Sequence, residues 1–177
     1  MNVAENVAEN LIIDLSDEAS TLALGAQVAR ELQPGITVYL SGDLGAGKTT
    51  LVRGLIHSLK YQGRVKSPTY ALVELYVVSK LNLYHFDFYR FRDPEEWHEA
   101  GFRDLFNQSN VCLVEWPEKA NDLLPPPDLH IMLSVQQTAN QDSRQANLSA
   151  TTAHGLAIIR TLRSRQPIQS TQPLQSS

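Results

Sequence analysis

The stretch ITVYLSGDLGAGKTT, residues 36–50, determines how the rest of the chain is interpreted. Its first half, from Ile36 to Gly42, is apolar, rich in β-branched residues and bounded by turn residues, which predicts a buried strand. After the glycine-rich segment, apolar residues recur with helical spacing at positions 51, 52, 55, 56 and 59. The stretch therefore predicts a unit of strand, glycine-rich loop and helix.

The loop of this unit, from Gly42 to Thr49, matches the pattern G-x-x-x-x-G-K-[ST] in full. Glycines allow successive backbone N–H groups to point inward at phosphate oxygens, and the following helix presents its positive end to the same charge. We expect Lys48 to reach the β- and γ-phosphates of a nucleotide and the Thr49 hydroxyl to bind Mg²⁺. The pattern thus favours a nucleotide site over an unoccupied turn.

Two acidic residues end apolar runs further along the chain. Asp87 follows LNLYHF and Glu115 follows VCLV. The carboxyl ends of strands face the crevice in which α/β sheets bind their ligands, so both side chains are placed to reach a metal ion or its waters. Hydrolysis or transfer of a phosphoryl group needs a carboxylate of this kind. The alternative for either residue is a surface cap at a strand end.

The segment Lys66-Ser-Pro-Thr-Tyr70 lies between the helix of the glycine-loop unit and the next strand-like run. A nucleotide-sensing segment occupies this place in P-loop proteins, and its hydroxyls together with Lys66 would respond to a γ-phosphate. A proline turn that opens a strand is the alternative, and the residues alone leave both open.

The histidines show no ligand spacing and are interpreted as packing or surface residues: His57, His85, His98, His130 and His154.

The remaining chain alternates helical and strand-like patterns. Ser16 is predicted to cap a helix that ends at Pro34 and Gly35, and Asp93 to start a second helix that Gly101 breaks or kinks. Strand-like runs occupy residues 69–78 and 80–90, which read as a hairpin around Ser79, and residues 110–117, 129–135 and 145–151, before a closing helix over 152–162. This mixture predicts a three-layer α/β domain with a mixed parallel and antiparallel sheet.

The length of 177 residues allows one domain of ordinary size. Residues 1–10, which repeat the word VAEN, are expected to form a flexible extension. Residues 166–177, rich in Gln and Ser, are expected to form a disordered tail. The domain then spans residues 11–165. With 42% hydrophobic and 19% charged residues, the composition excludes a wholly disordered chain.

The sequence carries neither a bilayer-spanning apolar run nor a signal peptide, so we expect a cytoplasmic protein that does not enter a membrane. The single cysteine, Cys112, excludes an internal disulfide and a cysteine-based metal site, and is predicted to lie in the core.

The net charge of the chain is −4, yet no acidic residue occurs between Asp43 and Glu74, where several basic residues fall. We expect one or two of these to bind nucleotide and the rest to be solvated, with RNA contact as the alternative.

Four motifs in this order, SGDLGAGKTT, VKSPTY, YHFDFYR and LVEWPEKA, resemble the TsaE (YjeE) family of bacterial P-loop ATPases. The resemblance covers roughly residues 15–135. It implies ATP and Mg²⁺ as cofactors, with Thr49 and Glu115 as metal ligands and with Lys48 and Asp87 as catalytic residues. It also implies that Lys66, Ser67, Pro68, Thr69 and Tyr70 form a switch-like segment. The residues implied to lie at the nucleotide are Glu18, beside the adenine, and Asp43, Leu44, Gly45, Ala46, Gly47, Lys48, Thr49, Thr50, Asp87, Phe88, Tyr89 and Arg90.

The resemblance further implies a Mg²⁺-dependent ATPase required for forming the threonylcarbamoyl group on adenosine 37 of tRNA. We expect this ATPase to be slow alone and to be coupled to a partner complex, which in the family is the TsaD and TsaB pair, and to meet tRNA indirectly through that complex. Two other functions stay open on the residues. One is a P-loop kinase of a small metabolite, and the other is a nucleotide-dependent module that binds tRNA through the basic stretch from Lys48 to Lys66.

Overall fold

The computed structural model describes residues 8–120, 122–137 and 142–166. Its strands are β1 (Glu9–Leu15), β2 (Thr37–Ser41), β3 (Val73–Val78), β4 (Leu81–Asp87), β5 (Asn110–Glu115), β6 (Leu129–Gln137) and β7 (Asp142–Ala150). Its α-helices are α1 (Glu18–Ala29), α2 (Lys48–Ser58), α3 (Pro94–Glu99) and α4 (Ala153–Arg165). Short 3₁₀ helices follow at Phe102–Leu105 and Pro117–Lys119.

Across the described ranges, the strands form one seven-stranded sheet in the order β1-β7-β6-β2-β5-β4-β3. The central strands β6, β2, β5 and β4 are parallel to their neighbours in that group, whereas β1 and β7 at one side and β3 at the other pair antiparallel. The parallel strands place their carboxyl ends at one edge of the sheet. The predicted α/β fold with a mixed sheet is confirmed.

Both faces of the sheet are covered near its centre. Val38 and Leu40 of β2 point to the face that packs on α1, α2 and α4, and they belong to the larger core cluster. Tyr39, between them, points to the opposite face, where Phe88 and Trp97 belong to an aromatic core that includes α3. This alternation follows from the two-residue period of a strand. Helices, sheet and the aromatic cover make the three predicted layers.

Helix α1 begins one residue later than the sequence pattern predicted, with Asp17 and not Ser16 as its N-cap. The Asp17 carboxylate accepts the Ser20 backbone N–H at 2.7 Å, and the Ser20 hydroxyl accepts the Asp17 N–H at 3.1 Å. This reciprocal pair is a capping box, and it satisfies two N–H groups that a helix start leaves free. Asp17 therefore takes the role predicted for Ser16 because Ser20 completes the box.

The sequence pattern did not predict β1, whose residues 9 and 10 fall within the expected flexible extension. Ile13 and Leu15 of this strand are buried, and the whole strand pairs antiparallel with β7. The local sequence pattern was too weak to predict the strand, because β1 is stabilised by pairing with a strand more than a hundred residues away. Residues 1–7 of the expected extension and residues 167–177 of the expected tail lie outside the described residues.

The predicted hairpin between β3 and β4 is present, and its turn explains why the chain reverses at Ser79. Ser79 and Lys80 both have positive φ angles, 48° and 66°, which is the backbone of a tight turn matched to the twist of the paired strands.

Asp93 caps α3 by accepting the Glu95 N–H at 2.9 Å. Gly101, with φ of 67°, follows the end of that helix as predicted.

Helices α1 and α2 cross at two glycines that allow their backbones to touch. A Cβ atom on Gly54 would lie 2.2 Å from the Leu22 carbonyl oxygen, and one on Gly25 would lie 2.1 Å from the Leu51 carbonyl oxygen. Neither space accommodates a side chain. The crossing thus fixes α2, the helix that follows the glycine-rich loop, against α1.

Cys112 is buried in β5, as predicted, and burial raises the pKa of its thiol to about 12. Of the helices in the described part of the chain, none combines the length and apolarity required to cross a membrane.

Candidate nucleotide-binding site

The glycine-rich loop joins the carboxyl end of β2 to the first turn of α2 at the centre of the sheet. Gly42, Gly45 and Gly47 all have positive φ angles, of 133°, 80° and 107°, a region in which side chains are strained. Gly42 also passes so close to β6 that a Cβ atom there would lie 2.1 Å from the Leu133 carbonyl oxygen. The glycines are therefore required by this backbone path.

Lys48 is folded into the loop and is only 4% exposed. Its ammonium donates to the carbonyl oxygens of Gly42 and Asp43 at 2.5 and 2.9 Å. The same atom lies 3.9 Å from the centre of the Trp116 ring, which places it over the π face. Burial lowers the pKa of Lys48, and the Glu115 carboxylate is the strongest opposing influence. The arrangement holds a buried cation against carbonyl oxygens of the glycine-rich loop.

Glu115 ends β5 beside the first turn of α2. The Thr49 hydroxyl lies 2.9 Å from its Oε1 and 3.1 Å from its Oε2. On the other side, Nε2 of His85 lies 2.8 Å from Oε1. The carboxylate and the imidazole are both buried. The two residues predicted as metal ligands, Thr49 and Glu115, are thus in direct contact.

Asp87 lies opposite Glu115, since the register of β4 and β5 pairs these two residues. Its Oδ2 accepts the hydroxyls of Ser67, in a very short contact, and of Thr69, at 3.0 Å. Its Oδ1 accepts the Tyr89 backbone N–H at 2.9 Å. The structure therefore joins the predicted switch-like segment to the predicted catalytic carboxylate.

A cavity of about 260 Å³ lies over the loop between these groups. The predicted site residues that line it are Leu44, Gly45, Gly47, Lys48, Thr49, Thr50, Ser67, Thr69, Asp87, Tyr89 and Glu115. Leu44 and Tyr89 are exposed, so apolar groups stand beside the polar interior. The sequence pattern thus brings residues from the glycine loop, the switch-like segment, β4 and β5 to one place.

Other predicted site residues do not line this cavity. Ala46 is buried beneath the loop, and Phe88 packs in the aromatic core. Arg90 stacks over the ring of Tyr70, which is 86% exposed. Glu18, Asp43, Lys66 and Pro68 lie outside the lining as well, and Glu18 sits 3.6 Å from Arg53 in an exposed ion pair.

Arg144 of β7 also lines the cavity, and the sequence analysis did not identify it. Its side chain lies beside Gly47, with Cδ and Nε 3.5 and 3.6 Å from where a Cβ on that glycine would be, so an added Cβ would be in van der Waals contact with it. Its Nε is buried and, among the described residues, has no hydrogen-bond partner. A lone arginine on a polar strand gives no local signal, because only the pairing of β7 with β6 brings it to the loop.

The side chains fit a magnesium ion that a nucleotide completes. No group of three or more His, Cys, Asp or Glu side chains within residues 8–120, 122–137 and 142–166 is arranged to hold a metal alone. Mg²⁺ commonly takes one or two protein oxygens together with phosphate oxygens and waters. Thr49 and Glu115 supply oxygens of this type, and Lys48 supplies the charge for the phosphates.

Known proteins are similar to this chain in sequence and in fold. The sequence model of the family described as Threonylcarbamoyl adenosine biosynthesis protein TsaE matches residues 15–146. A Haemophilus influenzae protein named tRNA threonylcarbamoyladenosine biosynthesis protein TsaE is 44% identical over 156 residues, 85% of this chain and 96% of that protein. A Bacillus subtilis protein of the same name is 36% identical over 130 residues, 73% of this chain and 79% of that protein. The crystal structure of Bacillus subtilis YdiB gives a TM-score of 0.69 at 25% identity, covering 90% of this chain and 99% of that one.

Proposed function

The chain belongs to the TsaE family of tRNA threonylcarbamoyladenosine biosynthesis proteins, and we propose that within this pathway it is a Mg²⁺-dependent ATPase. The protein is required for forming the threonylcarbamoyl group on adenosine 37 of tRNA. It contributes ATP turnover to that process and does not transfer the group itself. It acts as an accessory to a TsaD and TsaB complex and meets tRNA through that complex.

One observation carries the proposal: a phosphate-binding loop, a hydroxyl and two carboxylates converge on a single cavity. Lys48 is held within the loop, Thr49 contacts Glu115, and Asp87 lies opposite Glu115 on the neighbouring strand. These are the groups that phosphoryl transfer requires, since the reaction is accelerated mainly by positioning and by neutralising phosphate charge.

The contacts support a division of tasks. Lys48 binds the β- and γ-phosphates with its ammonium, and Thr49 and Glu115 hold Mg²⁺, which neutralises charge that develops on the phosphate oxygens. Asp87 orients the attacking water as an acceptor. Its present partners, the hydroxyls of Ser67 and Thr69, are placed to exchange Asp87 for the γ-phosphate. That exchange would report the nucleotide state to a partner.

The experiment is Mg²⁺-dependent phosphate release from ATP by the wild type and by Lys48→Ala, each alone and with purified TsaD, TsaB and tRNA. We expect slow release by the wild type alone, stimulation by the partners, and loss of both in Lys48→Ala, because the loop loses its main phosphate counter-charge. Arg30→Ala is the matched control, since it removes an exposed cation at the end of α1.

Three results would contradict the proposal in different ways. Stoichiometric transfer of phosphate to a metabolite, without free phosphate, would indicate a small-metabolite kinase. Tight, salt-sensitive tRNA binding by the isolated chain would indicate a tRNA-binding module. Absence of stimulation by TsaD, TsaB and tRNA would show that the partner is a different one.

A further inference from the structure

His85 of β4 is completely buried, and one of its ring nitrogens contacts the carboxylate of Glu115. Strand alternation places His85 on the same sheet face as Asp87, two residues later. Glu115 on β5 and helix α2 lie on that face too, because Thr49 of α2 touches Glu115. His85 itself does not line the cavity. It therefore stands behind the site, in contact with one of its carboxylates.

The contacts of Glu115 distinguish its two oxygens. A carboxylate that binds Mg²⁺ is ionised and only accepts hydrogen bonds, so in that state Nε2 of His85 is the donor. Oε1 accepts from His85 at 2.8 Å and from Thr49 at 2.9 Å, whereas Oε2 is 3.1 Å from Thr49. The Thr49 hydroxyl is also the group expected to bind Mg²⁺. Once it does so, His85 is the described partner that remains on Glu115.

The other ring nitrogen of His85, Nδ1, is evidence that stability of the fold does not by itself explain a histidine at this position. Nδ1 of His85 is buried and lacks a hydrogen-bond partner among the residues that the structure describes. A buried polar atom without a partner destabilises the folded state, and an apolar side chain of similar volume would avoid that cost. What the imidazole contributes at this position is the contact with Glu115.

We propose that His85 is a positioning residue for the magnesium ligand Glu115. It fixes Oε1 and leaves Oε2 for the metal, and it touches neither metal nor nucleotide. The inference rests on the proposed function, because it assigns a task to a residue behind that site. Carboxylates that bind metals are commonly oriented by outer hydrogen bonds of this kind, and their loss typically lowers metal affinity about 10- to 100-fold.

Three variants separate the hydrogen bond from the volume of the ring. His85→Leu removes the donor and keeps an apolar side chain of similar size. His85→Gln carries an N–H group at about the same distance from the backbone as Nε2. His85→Asn carries an N–H group too, but on a shorter side chain that does not reach Glu115. The measurement is calorimetric binding of a non-hydrolysable ATP analogue, in EDTA and over a series of Mg²⁺ concentrations.

We expect His85→Leu to raise the Mg²⁺ concentration needed for tight binding by about tenfold while changing the affinity in EDTA by less than about twofold, and His85→Gln to recover most of that loss. His130→Leu is the matched control. His130 is another strand histidine, half-buried where His85 is fully buried, and it contacts the Ser41 hydroxyl at 2.8 Å and not a metal ligand. This control should lose stability without losing the dependence on Mg²⁺.

A wild-type Mg²⁺ response retained in His85→Leu would overturn the inference, as would an equal loss of affinity with and without Mg²⁺. If His85→Leu does not fold, the comparison of Gln with Asn decides, and equal responses in those two variants would overturn it. A wild type that binds the analogue without any help from Mg²⁺ would overturn the proposed function, and the inference with it.

Discussion

At the scale of single residues, Asp87 and Glu115 lie side by side on the neighbouring strands β4 and β5 and yet have different partners. Glu115 accepts the hydroxyl of Thr49, at the start of α2. Asp87 accepts hydroxyls from the segment before β3. We therefore expect Glu115 to act through Mg²⁺ and Asp87 to act in the reaction step.

Substitution of the two acids should separate these tasks. Glu115→Gln should abolish the gain in nucleotide affinity that Mg²⁺ gives, because a neutral amide is a weaker ligand for a hard cation. Asp87→Asn should keep that gain but lower ATP turnover by about 10²- to 10⁴-fold, as expected for the loss of a group that orients or deprotonates the nucleophile. Calorimetry and phosphate release measure the two quantities. Equal and complete loss of affinity in both variants would show that the tasks are divided wrongly.

Arg144 provides a second test at this scale. Its Nε lies buried beside the glycine loop and has no partner in the described ranges, so phosphate oxygens would give it one. Arg144→Ala should weaken nucleotide binding by about 1.5–3 kcal/mol, a factor of roughly 10 to 160, as expected for a hydrogen bond to a charged group. Calorimetry measures the loss, with Arg30→Ala as control. Unchanged affinity in Arg144→Ala would exclude contact with the nucleotide.

The residues of the site were predictable where their signal is local. The loop from Gly42 to Thr49 is contiguous, and Asp87 and Glu115 each end an apolar run. The place of Arg144 beside the loop and the contact of His85 with Glu115 were not predictable, because each depends on which strands become neighbours. The pairing of β4 with β5 and of β6 with β7 is a property of the assembled sheet.

At the scale of elements, the crossing of α1 and α2 makes a glycine necessary inside a helix. Gly54→Ala should lower the free energy of unfolding by about 1–3 kcal/mol, because the added Cβ overlaps the Leu22 carbonyl oxygen and the helices must move apart. At an exposed helix position the same change would raise stability by about 1 kcal/mol. Urea unfolding measures the difference and its sign.

Ala23→Gly on the exposed side of α1 is the matched control for this crossing. It removes a Cβ where there is space for one and should lower stability by about 1 kcal/mol through helix propensity alone. Opposite changes in the two helices should therefore both destabilise the protein. An increase in stability for Gly54→Ala would mean that the helices do not pack as closely as described.

Elements with a strong local pattern were predictable, and those held by distant partners were not. The β2, loop and α2 unit and the hairpin of β3 and β4 follow from apolar runs and turn residues. Strand β1 carries the polar residues Glu9, Asn10 and Asp14, and only Ile13 and Leu15 of it are buried. Its existence depends on β7, so the sequence around residues 9–15 carries little of the information.

At the scale of the whole molecule, Cys112 reports whether the aromatic core opens. It lies in the central strand β5 among residues of that core, and its thiol pKa is raised to about 12 by burial. The thiolate is the reactive form, so a thiol reagent should label the native protein at least about a hundredfold more slowly than the urea-unfolded protein, since core segments open at a cost of several kcal/mol. Mass spectrometry over time measures the rate.

An exposed cysteine is the control for this labelling. Ser109→Cys, in the exposed turn before β5, should react at once in the native protein while Cys112 in the same molecule does not. Rapid labelling of Cys112 in the native protein would mean that the aromatic core opens readily around β5.

The pairing of the first strand with the last has a consequence for synthesis of the chain. Glu9 is opposite Ala150, so β1 cannot find its place in the sheet until 141 further residues have been made. At about 5–20 residues per second, the interval is roughly 7–28 seconds. During that time the nascent chain carries an unpaired segment that can associate with other chains or bind a chaperone. Completion of the domain is therefore a late event, and a chain whose synthesis stops before β7 has its phosphate loop already translated but its sheet unfinished.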